Sequence, residues 1–347
     1  MLSWGLTEES PQQLGLFIIM YFINGTRLST VLKQPTEDDQ EDVILNLDIP
    51  DAMLDTIYDQ LADYILQISR LEFPRIGAIS KDHASNTWSV TGRPLTYNMN
   101  ELATSTGYPI DRFPDAPFDR ATDYFRSVAC EHLIHLQTQQ NLADDTEDAR
   151  RRFIARHRFA QLISKYCIDD AGPFKVFCDD MQPSNMLIDP DTLRITAVLD
   201  FEFTNTMPAQ FACDPPWWLL LLGPDMWLER YSMKEFLTRY VPKMEQFLRA
   251  LERIEVKSAL TGGQSEEPRL STQMRDSWKT RHFWFNYAAR KSMDVDAVYW
   301  SMLREDGAGV ELLDEETRAE MEPFTRMKMM QLEAYREQCA AAAAPLS

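Results

Sequence analysis

Apolar residues recur at helical spacing through most of the chain and cluster at strand-like density in only a few short stretches. Leu54, Ile57, Tyr58, Leu61 and Ile65 fall at i, i+3, i+4, i+7 and i+11, one face of a long helix that begins near Pro50. Similar patterning predicts long helices over 121–140, 146–166, 234–254, 272–303 and 315–339. Shorter helical pieces are expected over 28–32, near Asn100 and over 217–222. The run from Leu16 to Ile23 is different: continuous, β-branched and aromatic, ending at Asn24-Gly25. It reads as a buried strand closing in a turn. Residues 174–177, 186–188 and 195–199 read as three short extended pieces. Asp189-Pro190-Asp191 turns between the last two, because proline fixes φ and aspartate bonds its own backbone. Phe73-Pro74-Arg75-Ile76-Gly77 breaks the helical pattern, and the stretch through Ser89–Pro94 reads as loop. The expected class is therefore α+β and predominantly helical.

Composition narrows the setting. A chain of 347 residues with 44% hydrophobic and 26% charged residues can bury a large core. Its net charge of −19 opposes nucleic acid or an anionic membrane surface as the main partner, since both repel it. The longest apolar runs, 17–23 and 217–222, are far too short to span a bilayer. Met1 to Pro11 has no basic segment and reads as no signal peptide. Five scattered cysteines without a C-x-x-C pair suit a reducing compartment. Together these give a cytoplasmic expectation. The acidic run 37–42 is expected to be a solvated linker, and 262–268 a surface loop.

Candidate chemistry concentrates in one place. Asp180 precedes Asn185 by five residues with Pro183 between them, and Asp200-Phe201 begins fifteen residues after Asn185. The first spacing matches the catalytic loop of protein kinases and the second their metal-binding Asp-Phe-Gly. Phosphoryl transfer asks for positioning, a divalent metal and a carboxylate near the attacking hydroxyl. Asp180 suits the last role; Asn185 and Asp200 are the hard oxygen donors that Mg²⁺ prefers. Other groups have plainer readings. Glu131, His132 and His135 have the spacing of a helical metal site but no third ligand with fitting spacing, and read as buried helix residues. Phe283, Trp284, Phe285 and Tyr287 read as core. Trp217 and Trp218 read as core or as an acceptor-pocket wall, and Arg93 and Arg290 are candidate phosphate contacts. Cys178 has no basic neighbour to activate it.

On these motifs the chain resembles the fungal branch of the aminoglycoside phosphotransferase-like kinases, a family that includes choline-kinase-type enzymes. The family's loop reads His-Gly-Asp-Leu-His-Pro-Gly-Asn and its metal motif Ile-Asp-Trp-Glu. Phe73–Gly77, Thr91–Leu95, Asp214–Trp218 and Phe283–Arg290 also look like that branch. The resemblance implies a protein-kinase-like large C-terminal lobe over 50–347, with the catalytic hairpin at 174–203. It implies a remnant of the small lobe's sheet and hinge over 1–34, joined by an acidic linker over 35–49. It further implies Mg²⁺ and ATP (or GTP) as cofactors and a small-molecule hydroxyl as acceptor. Asp180 would be the catalytic carboxylate, Asn185 and Asp200 the metal ligands, and the backbone of Met20, Tyr21, Phe22 and Ile23 the adenine contact.

The chain also departs from that pattern. Cys178 and Asp179 stand in place of His-Gly, Gln182 in place of the second histidine, and Tyr21 where the hinge commonly has glutamate. No lysine precedes Lys33, and no glycine-rich phosphate loop is present. Two readings follow: a phosphotransferase with a truncated start, or a pseudokinase-like binding protein that recruits a partner or self-associates through its incomplete small lobe.

Overall fold

The structure, a computed structural model, describes residues 3–13, 15–36, 43–82, 84–262, 268–305 and 309–343. It is an α+β fold in which helices carry more than half of the chain and the sheets are small and antiparallel. The strands are β1 (Ser3–Gly5), β2 (Phe17–Ile19), β3 (Thr26–Arg27), β4 (Glu72–Phe73), β5 (Ala78–Asp82), β6 (Thr87–Gly92), β7 (Phe174–Cys178), β8 (Met186–Asp189), β9 (Arg194–Val198) and β10 (Thr204–Met207). The helices are α1 (Leu28–Leu32), α2 (Asp51–Ile68), α3 (Tyr97–Ser105), α4 (Ala121–Thr138), α5 (Thr146–Tyr166), α6 (Ala209–Ala212), α7 (Pro224–Arg230), α8 (Met233–Gly262), α9 (Leu270–Lys279), α10 (His282–Ala289), α11 (Val295–Val298) and α12 (Glu315–Ala343). Among the described residues no helix is long and apolar enough to cross a membrane.

The amphipathic periodicities become a helical core. Leu54, Ile57, Tyr58 and Leu61 of α2 are buried, with Tyr58 set edge-on against Phe247 of α8 at 5.7 Å. Phe285 of α10 stacks on Phe159 at 4.9 Å and on Tyr166 at 5.1 Å. A fully buried ring of this kind contributes roughly 1.5–3 kcal/mol. His132 and His135 of α4 are fully buried beside Arg156. The Arg156 guanidinium donates to the His132 carbonyl at 2.7 Å and to His135 Nδ1 at 3.0 Å, and pairs with Asp296 at 2.9 Å. Arg156 thus holds the His135 ring, and the Ser292 hydroxyl meets His132 Nδ1 at 2.7 Å, which places both histidines in the core.

Two three-stranded sheets position the loops that matter. One has the order β10-β7-β4 and the other β3-β8-β9. The chain passes from β7 in the first sheet to β8 in the second, then from β9 back to β10. Because β7 pairs with β10 and β8 with β9, the two connections must lie side by side.

Several expectations are corrected. The strand expected over 16–23 is reduced to Phe17–Ile19, and the run is exposed rather than buried. Leu16, Tyr21 and Phe22 are 76%, 74% and 89% accessible. The stretch read as loop through Ser89–Pro94 contains β6, paired with β5 into a hairpin. Trp217–Leu222 is a series of turns, not a helix. The helix expected over 272–303 is divided into α9, α10, α11 and a π turn at Tyr299–Leu303, with Arg281 at φ 67° making the first break. Ile44, Leu45 and Ile49, within the span expected to be linker, are buried in the core. The acidic run 37–42 and most of the loop expected over 262–268 lie outside the described residues.

Candidate functional site

Asp180 and Asn185 sit on the β7–β8 connection. Pro183 opens a 3₁₀ turn over Pro183–Asn185, where its fixed φ is already correct and its missing N–H costs nothing. The Asn185 N–H donates to the Gln182 carbonyl at 2.9 Å, closing the turn. Its side chain then faces back: Nδ2 donates to the Asp180 carbonyl at 2.9 Å and to Asp180 Oδ2 at 2.8 Å. Gln182 Nε2 donates to Asp180 Oδ1 at 2.5 Å. Gln182 thus holds the second oxygen of the same carboxylate. Asp180 is half-buried and fixed from both sides.

The β9–β10 connection brings Asp200 alongside. The Leu199 N–H donates to the Asn185 carbonyl at 2.8 Å and ties the two connections together. Asp200 adopts φ 60°, a left-handed conformation uncommon outside glycine and several-fold enriched in Asp and Asn. Its carboxylate is exposed and makes no hydrogen bond or ion pair among the described residues. Asn185 Oδ1 is equally uncommitted. Two hard oxygen donors therefore remain free next to a fixed carboxylate, which fits a Mg²⁺-type ion that keeps water or phosphate as its other ligands. Among the described residues no group of three or more His, Cys, Asp or Glu is placed to hold a metal by itself.

Glu202 belongs to this edge and was not singled out from the sequence, although Asp200-Phe201-Glu202 presents it two residues later. Its carboxyl is pushed above the usual range by partial burial and then by the negative charges of Asp200 and Asp180. The adenine candidates Met20, Tyr21, Phe22 and Ile23 lie on the exposed segment that leads into β3, and β3 pairs with β8 directly after Asn185. Gly25 allows this approach: a Cβ there would meet Leu187 Cβ at 3.0 Å.

Behind the loop, Asp179 is committed to Arg290, whose guanidinium lies over the rings of Phe177 at 4.9 Å and Phe211 at 5.4 Å. Both partners are nearly inaccessible, so Arg290 is a structural cation rather than an exposed phosphate contact. Arg93 is also engaged, donating to the Pro114 carbonyl at 3.4 Å. Cys178 is buried, and that burial pushes its thiol up. Lys291, unnoticed in the sequence, lies over Tyr97 at 4.3 Å and Trp217 at 5.9 Å. Burial alone would lower its ammonium, but Asp179, Asp225, Glu101 and Asp294 outweigh that and hold it above the usual lysine range. Trp217 is half-buried, and its indole donates to the Asp179 carbonyl at 3.4 Å.

Glu131 is buried on α4 with Asn98 Nδ2 donating to it at 3.3 Å. Burial raises its carboxyl to about 8 against the opposing pull of Asn98 and Arg93. An unfolded glutamate releases its proton near 4.3. The folded state therefore binds the extra proton between those limits. The resulting stability is fully present below about pH 4.3 and is lost as pH rises through about 8. Glu131→Gln is expected to abolish that part of the pH dependence. Urea unfolding at pH 5.5 and 8.5 should show wild type losing stability relative to the variant by on the order of 1 kcal/mol or more. Parallel behaviour of the two proteins would contradict the assignment.

No family model, no curated protein and no solved structure matches the chain.

Proposed function

We propose that this protein is an ATP- and Mg²⁺-dependent phosphotransferase of the protein-kinase-like type, acting on a small-molecule hydroxyl. The reading rests on one observation above the others. Asp180 is locked by Asn185 and Gln182 on one connection, while the neighbouring connection presents Asp200 with both carboxylate oxygens free. A turn alone readily holds aspartate in the left-handed conformation, so the feature that supports the reading is the exposed Asp200 carboxylate, unbonded among the described residues, on the connection next to Asp180.

Each group then has a role. Mg·ATP, when bound, supplies the transferable phosphoryl group and neutralises its charge. Asn185 Oδ1 and Asp200 would hold the metal. Asp180 accepts one hydrogen bond on each oxygen, which leaves lone pairs with which it would orient the acceptor hydroxyl and take its proton. The exposed backbone of Met20–Ile23 would meet adenine on the β3 side of the β8–β9 hairpin. Asp180→Asn is expected to lower phosphoryl transfer, or ATP hydrolysis without acceptor, by roughly 10²–10⁴-fold with nucleotide affinity little changed. Unaltered turnover would remove Asp180 from the chemistry.

A second reading, a nucleotide-binding protein without turnover, is favoured by the cations. Arg290 is committed to Asp179, and Lys291 lies on the Asp179 side among carboxylates rather than beside Asp200. On this reading the exposed apolar run from Leu16 to Ile23 would meet a protein partner or a second copy. ATP binding without measurable hydrolysis would favour it.

A further inference from the structure

We propose that the recess beneath the end of β7 is a binding site for a small apolar molecule bearing an ammonium group, with Asp214 as the group that receives it. Cys178, Asp179 and Met181 line it but Asp180, Asn185 and Asp200 do not, and the proposal does not depend on phosphotransfer.

The recess is open at its mouth and offers about 70 Å³ of water-accessible space. Its walls are mainly apolar: Ile65, Phe177, Met181, Phe211, Trp218 and Met274. Asp214 is the exception that calls for a partner. It is only 7% accessible. Oδ1 accepts from Ser277 Oγ at 2.5 Å and Asn286 Nδ2 at 3.0 Å. Oδ2 is buried with no donor at all among the described residues. An unpaired buried carboxylate oxygen costs free energy unless something donates to it.

Local charge selects the donor. Asp179 and Asp214 both line the recess with Arg290, and the guanidinium is paired with Asp179. Lys291, the other cation near Asp179, is shared with Asp225, Glu101 and Asp294, so carboxylates still outnumber cations around the recess. Burial raises the Asp214 carboxyl to about 6, opposed by Arg290, Ser277 and Asn286, so it is ionised above neutrality. A monocation balances it, an anion is repelled, and the apolar walls favour a hydrocarbon body over a metal ion or polyol.

Benzylamine, with benzyl alcohol as its neutral analogue of the same shape, tests this in the full chain at pH 7.5. Saturation-transfer NMR titration should show benzylamine binding at least tenfold more tightly than the alcohol. Asp214→Asn should bring the two within about twofold. Ala212→Leu keeps Asp214 but fills the recess, and should abolish binding of both, which keeps the test decisive if the Asp214 variant fails to fold. Equal affinities, absence of benzylamine binding, or binding that survives Ala212→Leu would overturn the proposal. So would a crystal structure from a benzylamine soak with only an ordered water on Asp214 Oδ2.

Discussion

Asp200→Asn is expected to weaken Mg²⁺-dependent ATP binding by at least about 10- to 100-fold while leaving the fold intact. Changes to groups that merely orient a metal ligand cost that much, so loss of a charged ligand sets it as a lower bound. The fold should tolerate the change for two reasons. Neither Asp200 oxygen is bonded among the described residues, and asparagine accepts the φ of 60° that the turn requires. Stability should shift by no more than about 0.5 kcal/mol, as for exposed substitutions generally. Calorimetric titration with a non-hydrolysable ATP analogue, in Mg²⁺ and in EDTA, separates the metal-dependent part. An unchanged metal-dependent affinity would remove Asp200 from the site.

Arg290→Met is expected to destabilise the protein by about 3–5 kcal/mol, because it strands the Asp179 carboxylate in the interior. The Arg290 and Asp179 side chains are only 4% and 9% accessible. The guanidinium also donates to the Asn286 carbonyl at 3.2 Å and lies over Phe177, Phe211 and Tyr287. Adding Asp179→Asn should recover part of the loss, since the stranded charge is then gone and the two sites are coupled. Urea unfolding of the three variants measures this. A loss below about 1 kcal/mol for Arg290→Met would mean that water reaches Asp179 and that the interior is not as closed as described.

What the sequence made legible was whatever depended on short spacing. The helical face of α2, the span of α5 and the β8–β9 hairpin with its Asp189 turn all follow from residues within a few positions of one another. The same holds for Asp180 and Asn185, whose hydrogen bond spans five residues. Long-range pairing was not legible. Asp179 meets Arg290 across 111 residues, and nothing local marks either as the other's partner. Lys291 gains Asp179, Asp225 and Glu101 from three distant segments, with only Asp294 close by in sequence.

Two errors have a common cause in burial. The run Leu16–Ile23 has the composition of a core strand but is paired only through Phe17–Ile19 with β1, and nothing covers it among the described residues. Conversely, β6 was legible but missed: Trp88 and Val90 alternate with Thr87, Ser89 and Thr91, a strand pattern only two apolar positions long of which Val90 alone is buried. The break at Arg281 was hidden for another reason: a left-handed arginine carries no glycine or proline signal. Glu131 read as an ordinary buried helix residue, and its raised carboxyl became visible only with its surroundings.

The central claim is that Asp180, Asn185 and Asp200 assemble one metal–nucleotide site at the paired β7–β8 and β9–β10 connections. Its most direct test uses Mn²⁺ with a non-hydrolysable ATP analogue, reading paramagnetic broadening of backbone amide signals by NMR. The account predicts broadening centred on Asn185–Met186 and Leu199–Phe201, weaker at β3, and lost in Asp200→Asn. Broadening centred elsewhere, or unchanged in that variant, would contradict it.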